Sequence, residues 1–592
     1  MKVCAIAAFF APIIGRRLPI FIWVSLVLAM SYPTLSYGQA KPEIHLLGVK
    51  GALKSNIKAL LSLFEEDCDS PTWQIKEAYS HADKEIRRAL RALGYYEPKI
   101  ESQFAFTPSC WQATFKIQPG PRVTLRRIDL KIQGEAENDP VFMDFLKKPP
   151  LHAGEPLNHG KYEALKSRLM DLANQRGYFD ARFLKRELLV DLSRHQADIV
   201  LYFDSRRRYR LGQIRIQQNV LDPSFIQKYV PLKPGAPYES GLLTQTYQSL
   251  ADSGYFADVE VQPLREQAKR YQIPIQIRLY PRKRHFFKIG AGFDTNTGPR
   301  VSLGYENRYL NRHGHRLKIK MRYSPVRSQF GGQYQIPWHD PRRETLSFRA
   351  GFLHEDTDTQ TSNRGTLGVQ FIHPRRKWSE IFGVDLRYEK SRTADQTQES
   401  LLALPAIEWS RIRADNPLRP KRGWKLDVSV KGGLPLYGDP VLFLQARTYG
   451  KWVRQLPWRG RILTRLEAAT TWVDQFHNLP ASHRYFAGGD NSIRGYGYKK
   501  LGPKDNDGAV IGGRHLAVAS LEYEQLFLQN WGAAVFVDAG NAFNTFKEPV
   551  KIGAGAGIRW YSPVGPIRVD LATPVNSHNP GVRLHISMGP EL

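Results

Sequence analysis

Three cysteines and 16 histidines are the residues whose types could carry covalent, metal or acid–base chemistry in this 592-residue chain. Their spacing points away from catalysis. No Cys-x-x-Cys pair and no His/Cys cluster has the spacing of a metal site, so no metal or cofactor is expected. A hydrolase needs an exposed nucleophile, a histidine and an orienting acid or amide. No motif gathers those groups, and no Walker loop is present, so the chain reads as a non-enzyme. What remains is cross-linking chemistry: Cys4 near the start, then Cys68 and Cys110.

The start of the chain decides what those cysteines do. Lys2, Arg16 and Arg17 precede the apolar run Leu18–Met30, and small residues follow at Ser36, Gly38 and Ala40. A basic flank, an apolar core too short to span a bilayer easily and a small-residue end read as a signal peptide over 1–38, the alternative being an uncleaved anchor. Export removes Cys4 and leaves Cys68 and Cys110, an even pair in an oxidising compartment, which reads as one disulfide. It also bears on the net charge of +29. So basic a chain suits a polyanion partner, but an exported one does not meet cytoplasmic nucleic acid, and anionic lipid head groups are equally polyanionic. Beyond the signal no apolar run is long enough for a spanning helix, while β-barrel strands, which alternate apolar and polar, stay possible.

The elements that must position these residues fall into two textures. In the first half a pattern recurs three times. Ile86, Ala89, Leu90 and Leu93 lie on one helix face before Gly94-Tyr95-Tyr96. Tyr162, Leu165, Leu169 and Leu172 precede Gly177-Tyr178-Phe179, and Leu243, Tyr247, Leu250 and Ala251 precede Gly254-Tyr255-Phe256. Spacings of three and four put one helix face on a core, and a glycine after the last turn suits a left-handed cap. The repeats lie about 80 residues apart, the size of a whole small domain. Period-two strands follow each helix: Trp111, Ala113, Phe115 and Ile117; Ala197, Ile199, Leu201 and Phe203; Ile273, Ile275, Ile277 and Leu279. A short strand opens each unit at Ile44 and Leu46, Ile128 and Leu130, and Ile214 and Ile216. Each unit therefore reads strand–helix–helix–strand–strand, with boundaries at 41–121, 122–207 and 208–284.

From His285 to the end, two-residue alternation continues between Gly-, Pro-, Asn- and Asp-rich turns. Phe287, Ile289, Ala291 and Phe293 form one face of a first strand, and Val582, Leu584, Ile586 and Met588 one face of the last. Roughly 300 residues suit about sixteen strands of bilayer-crossing length. The expected fold is thus three tandem α+β units followed by a C-terminal transmembrane antiparallel β-barrel over 285–592. In a closed barrel the first and last strands must meet, and Phe287, Ile289, Ala291, Val582, Leu584 and Ile586 are placed at that lateral seam.

The three units resemble POTRA domains, periplasmic modules that add a partner's strand to a sheet edge. The second half resembles the BamA superfamily of outer-membrane assembly barrels. Gly488-Gly489-Asp490-Asn491-Ser492-Ile493-Arg494-Gly495-Tyr496 looks like its sixth-loop signature, and Phe536-Val537-Asp538-Ala539-Gly540-Asn541 like its downstream strand motif. Asp415-Asn416-Pro417 through Arg422-Gly423-Trp424, and Gly555–Arg559 through Ser562–Pro566, also match its barrel. Three POTRA units and the ending Gly589-Pro590-Glu591-Leu592 look most like the TamA branch, although outer-membrane barrels usually close on an aromatic residue.

The resemblance implies insertion and assembly of outer-membrane proteins, autotransporters above all, through a weak seam. It also implies a TamB-like partner, anchored in the inner membrane and met through the first POTRA domain. A passive pore or secretion channel and a lipid conduit between membranes are the alternatives. The site residues it carries over are Arg494, Gly495 and Tyr496 on a loop folded into the barrel, with Asp538 on the wall. The guanidinium is a planar fork and the carboxylate has two acceptors, so they can pair bidentately. In a wet lumen such a pair is expected to contribute only about 1 kcal/mol.

Overall fold

The computed structural model describes residues 41–394, 396–416, 419–562, 565–576 and 581–589. The expected signal peptide, Pro417, the turn residues Pro563 and Val564, and the terminal Pro590-Glu591-Leu592 lie outside the described residues. The chain forms two compact units. One contains the residues up to Asn174 together with Tyr178–Arg207; the other contains Gln175–Gly177 and everything from Arg208 on.

The first unit holds two copies of the repeated pattern. In one, β1 (Glu43–Leu47), α1 (Gly51–Leu60), α2 (Thr72–Arg91), β2 (Lys99–Phe106) and β3 (Trp111–Gln118) form a three-stranded sheet in the order β1-β3-β2 under two helices. β3 is the middle strand, parallel to β1 and antiparallel to β2. Its alternation explains that place: Trp111, Ala113, Phe115 and Ile117 are all buried against α2, which turns Ile75, Ala82, Ile86 and Ala89 onto the same core. The second copy has β4 (Thr124–Gln133), α3 (Pro140–Lys147), α4 (His159–Arg176), β5 (Arg182–Asp191) and β6 (Gln196–Asp204), again with the last strand central. Gly94 and Gly177 take φ of +93° and +85°, and the next residue closes the helix end in each case, Tyr95 N–H donating to the Leu90 carbonyl and Tyr178 N–H to that of Ala173. These six-to-one bonds belong to the glycine-capped helix end expected from the recurring Gly-Tyr-aromatic.

The second unit opens with the third copy: β7 (Arg210–Gln217), α5 (Pro223–Gln227), α6 (Ser240–Asp252), β8 (Phe256–Pro263) and β9 (Gln272–Pro281). One expected core residue is misplaced by the sequence pattern. Tyr247 is exposed, and Thr246 is buried between Leu243 and Leu250. The threonine tolerates burial because its hydroxyl donates to the Leu242 carbonyl at 2.7 Å.

A 16-stranded antiparallel sheet follows, β10 (His285–Asp294), β11 (Gly298–Asn307) and so on in strict chain order to β25 (Arg583–Met588). Alternation sorts its two faces. Along β22 (Trp531–Phe543), Val535 and Val537 are exposed on the outside, while Ala534, Phe536 and Asp538 are buried inside. An apolar exterior with a polar interior is the pattern of a membrane barrel. The segment 474–514, between β20 (Gly460–Val473) and β21 (His515–Leu526), is the longest connection and folds back onto the inner wall.

Candidate functional site

The inner wall carries carboxylates at alternating positions, and the long segment delivers an arginine to them. Asp538 lies on β22, Glu522 and Glu524 on β21, and Asp570 on β24 (Gly565–Pro574). The 474–514 segment has a core of its own: Ala487, Ile493 and Leu501 pack with Leu516, Val518 and Ala542 of the wall, and Tyr496 leans on the cluster. This packing holds Arg494 against β22. Its Nε donates to Asp538 Oδ2 at 2.7 Å and its Nη2 to Asp538 Oδ1 at 3.0 Å, the bidentate fork expected of this pair. Its backbone N–H adds a third bond to Asp538 at 3.0 Å.

Three further contacts were not legible in the sequence. Nη1 donates to Glu522 at 2.7 Å and to Asp570 at 3.0 Å, and Nη2 reaches Ser520 Oγ at 3.4 Å. All five guanidinium donors are thereby engaged. The plane also lies 3.3 Å over the Phe536 ring centroid. The expectation of a wet, weakly stabilising pair is corrected: Arg494 is 6% exposed and Asp538 0%.

A second arginine knits the acids together. Arg559, on β23 (Lys551–Ser562), donates to Glu522 at 2.7 Å, to Glu524 at 3.2 Å and also to Asp570. Arg461 pairs with Glu524, and Arg465 donates to the Ser492 carbonyl of the loop. Charges so far from water are tolerable only in such a mutually compensating set. A cue existed: Glu522, Glu524, Arg559 and Asp570 fall at inward positions of strands, where a charge in a membrane segment needs a partner.

Gly495 takes φ of +93°, and a Cβ there would stand 2.8 Å from the Thr573 carbonyl carbon. Gly495→Ala is therefore expected to loosen the loop by about 1–3 kcal/mol. Proteolysis within 474–514 should then be faster in the variant while the barrel itself stays resistant. Tyr496 follows it, its hydroxyl donating to Asn576 Oδ1 at 3.1 Å.

The seam departs from the expected pairing. β25 pairs with β24 and β10 with β11, but no ladder joins β10 to β25 among the described residues. The strands meet instead beyond the end of β10. Thr295 N–H donates to the Ile586 carbonyl at 3.2 Å, and Ile586 N–H donates to Thr295 Oγ1 at 3.2 Å. Of the residues expected to face one another, only Ile586 has a partner across the gap in these bonds. Phe287 and Ile289 are 71% and 79% exposed, and Ala291, Val582 and Leu584 are exposed as well. In the first unit Cys68 and Cys110 are disulfide-bonded with their Cα atoms 4.9 Å apart.

Parts of the chain match known families and proteins. Residues 295–591 match the family profile described as the Omp85 superfamily domain, and residues 43–119 the one described as POTRA domain TamA domain 1. Residues 209–279 match a third, POTRA, described as a surface antigen variable number repeat. The outer membrane protein assembly factor BamA of Nitratidesulfovibrio vulgaris is 23% identical over 426 residues, covering 67% of this chain and 53% of that protein. BamA of Neisseria meningitidis serogroup B is 20% identical over 454 residues, covering 64% and 56%. The chain spans about half the length of these curated relatives. The crystal structure of BamA from Haemophilus ducreyi lacking POTRA domains 1–3 superposes with a TM-score of 0.65 at 19% identity, over 79% of this chain and 100% of that one.

Proposed function

The chain belongs to the Omp85 superfamily, and from that premise we propose that it assembles other outer-membrane β-barrel proteins at its own seam. The barrel lies in the outer membrane with its POTRA domains in the periplasm. The observation that carries the proposal is that, among the described residues, no ladder joins β10 to β25 and the two strands meet only at Thr295 and Ile586. Backbone groups without partners at membrane depth cost several kcal/mol each, and neither lipid nor solvent water relieves them there. An incoming client strand supplies the missing partners, so a weak seam lowers the cost of a half-formed client sheet. No catalytic group is needed, since the free energy comes from the client's own pairing and burial.

The finer reading is that the chain is of the TamA type, with autotransporters among its clients and a TamB-like inner-membrane protein as partner. The first-POTRA match supports this by its description. In our reading the units divide at 41–121, 122–207 and 208–284, and the first receives the partner. β-Augmentation at an exposed sheet edge is the mode such a module offers, with backbone groups supplying affinity.

The test is to lock the seam. Thr295 and Ile586 set the local antiparallel register, which places Phe293 beside Met588. Paired cysteines scanned from Phe293 and Met588 along β10 and β25 should include pairs within disulfide reach. Oxidation is expected to abolish client assembly, and reductant to restore it, with the barrel folded throughout. Full-rate assembly by every efficiently crosslinked pair would refute the proposal and favour a lumen or pore mechanism.

A further inference from the structure

Asp490 lies on the same loop as Arg494, yet nothing in the Arg494–Asp538 pairing uses it. Its carboxylate is nearly buried and touches both ends of the seam. Thr295 Oγ1, one residue past β10, donates to it with Oγ1–Oδ1 at 2.8 Å and Oγ1–Oδ2 at 3.0 Å. His585, in β25, sits with Nδ1 2.6 Å from Asp490 Oδ1. The other imidazole nitrogen fixes the roles. Gly495 N–H donates to His585 Nε2 at 2.9 Å, so Nε2 is the bare nitrogen and Nδ1 carries the proton that Asp490 accepts. Asp490 N–H in turn donates to Asn296 Oδ1 at 3.2 Å.

The Thr295 hydroxyl thus does two things at once. It donates to the loop carboxylate and accepts from Ile586 N–H, standing where a backbone carbonyl would stand in a regular ladder. The bonds that close the seam and the bonds that hold the loop share one side chain.

We propose that Asp490 is the positioning residue that couples the loop to the seam: it orients Thr295 and His585 so that β10 and β25 stay joined only while the loop occupies the lumen. This deepens the assembly reading and rests on it for its consequence, namely that clients gain access when the loop gives up these contacts. Arg494 anchors the loop to the wall, and Asp490 transmits that position to the two edge strands. The arrangement places the seam under the control of a segment 195 residues away in sequence from Thr295.

Amide hydrogen exchange on the full-length protein in lipid nanodiscs tests this without any client, so its outcome is separable from that of the assembly proposal. Asp490→Ala should speed exchange in peptides covering Phe293–Thr297 and Arg583–Met588 by roughly tenfold, the effect of losing one or two net hydrogen bonds. Peptides from β21 and β22 should keep wild-type protection, as should the gel mobility of the unheated barrel. Asp490→Asn retains an acceptor of the same shape, although its amide hydrogens then face donors, and is expected to recover part of the protection. Thr295→Val leaves loop and carboxylate in place but removes the relay. It should loosen the Arg583–Met588 peptide even if Asp490→Ala fails to fold. Seam peptides as protected in Asp490→Ala and Thr295→Val as in wild type would overturn the proposal. So would faster exchange spread evenly through the barrel, because Asp490 would then be a general stabilising residue.

Discussion

Arg494→Ala is expected to cost about 3–5 kcal/mol in the stability of the loop on the wall, the usual consequence of removing one partner from a buried ion network. The cause is less the lost attraction than what is left behind. Asp538, Glu522 and Asp570 are buried, and the variant strips each of a cationic donor. Arg559 still serves Glu522 and Asp570, so Asp538 bears the largest uncompensated charge. Arg494→Lys should rescue little, because an ammonium presents three donors from one point where the guanidinium uses five in a plane. Pairing Arg494→Ala with Asp538→Asn should recover part of the loss by removing the stranded charge. Unheated gel mobility and thermal unfolding in detergent measure these effects. Arg494→Ala with wild-type stability would show that the network contributes nothing.

Reducing the Cys68–Cys110 bond, or replacing both residues by serine, is expected to destabilise the first domain by about 4 kcal/mol, the chain entropy returned when a loop of this size is opened. The separation is 42 residues, and the bond links the segment before α2 to the start of β3. It has a local supporter: the Trp111 indole N–H donates to the Asp67 carbonyl at 3.2 Å, holding the same two segments. A domain of about 80 residues has only a modest total stability, so this loss is a large fraction of it. Protease cleavage between residues 41 and 121 of the full chain should rise steeply under reduction, with the barrel unaffected. Labelling of both thiols in the unreduced protein would remove the bond from the account.

What was legible in the sequence follows from local physics. Period-two alternation in Trp111–Ile117 and in Ile273–Leu279 assigns side chains to faces, because successive residues of a strand point in opposite directions. Spacings of three and four place Ile86 and Ala89 on a core, and Gly94 marks a helix end that needs positive φ. The pairing of Arg494 with Asp538 is implied only by resemblance, since nothing in the spacing of two residues 44 apart brings them together.

Tyr247 shows where such reasoning stops even for a helix: a threonine that satisfies its own hydroxyl can take the buried position. The seam shows it more plainly. Alternation says which face of β10 and of β25 is apolar, but not whether two strands at opposite ends of the barrel pair, nor in which register, since a slip by one residue exchanges the faces. Thr295 and Ile586 are 291 residues apart and meet only when sixteen strands have closed. The acids on β21, β22 and β24 likewise acquire partners only when a long loop enters the lumen, where low dielectric makes an unpaired charge intolerable. Local periodicity and composition are enough for the repeated units, the strand faces and the cysteines able to pair. Only the folded chain brings these charges into one site and, among the described residues, joins β10 to β25 through the Thr295 backbone and hydroxyl and the Asp490 carboxylate without a ladder, because both outcomes depend on contacts between segments that no local periodicity relates.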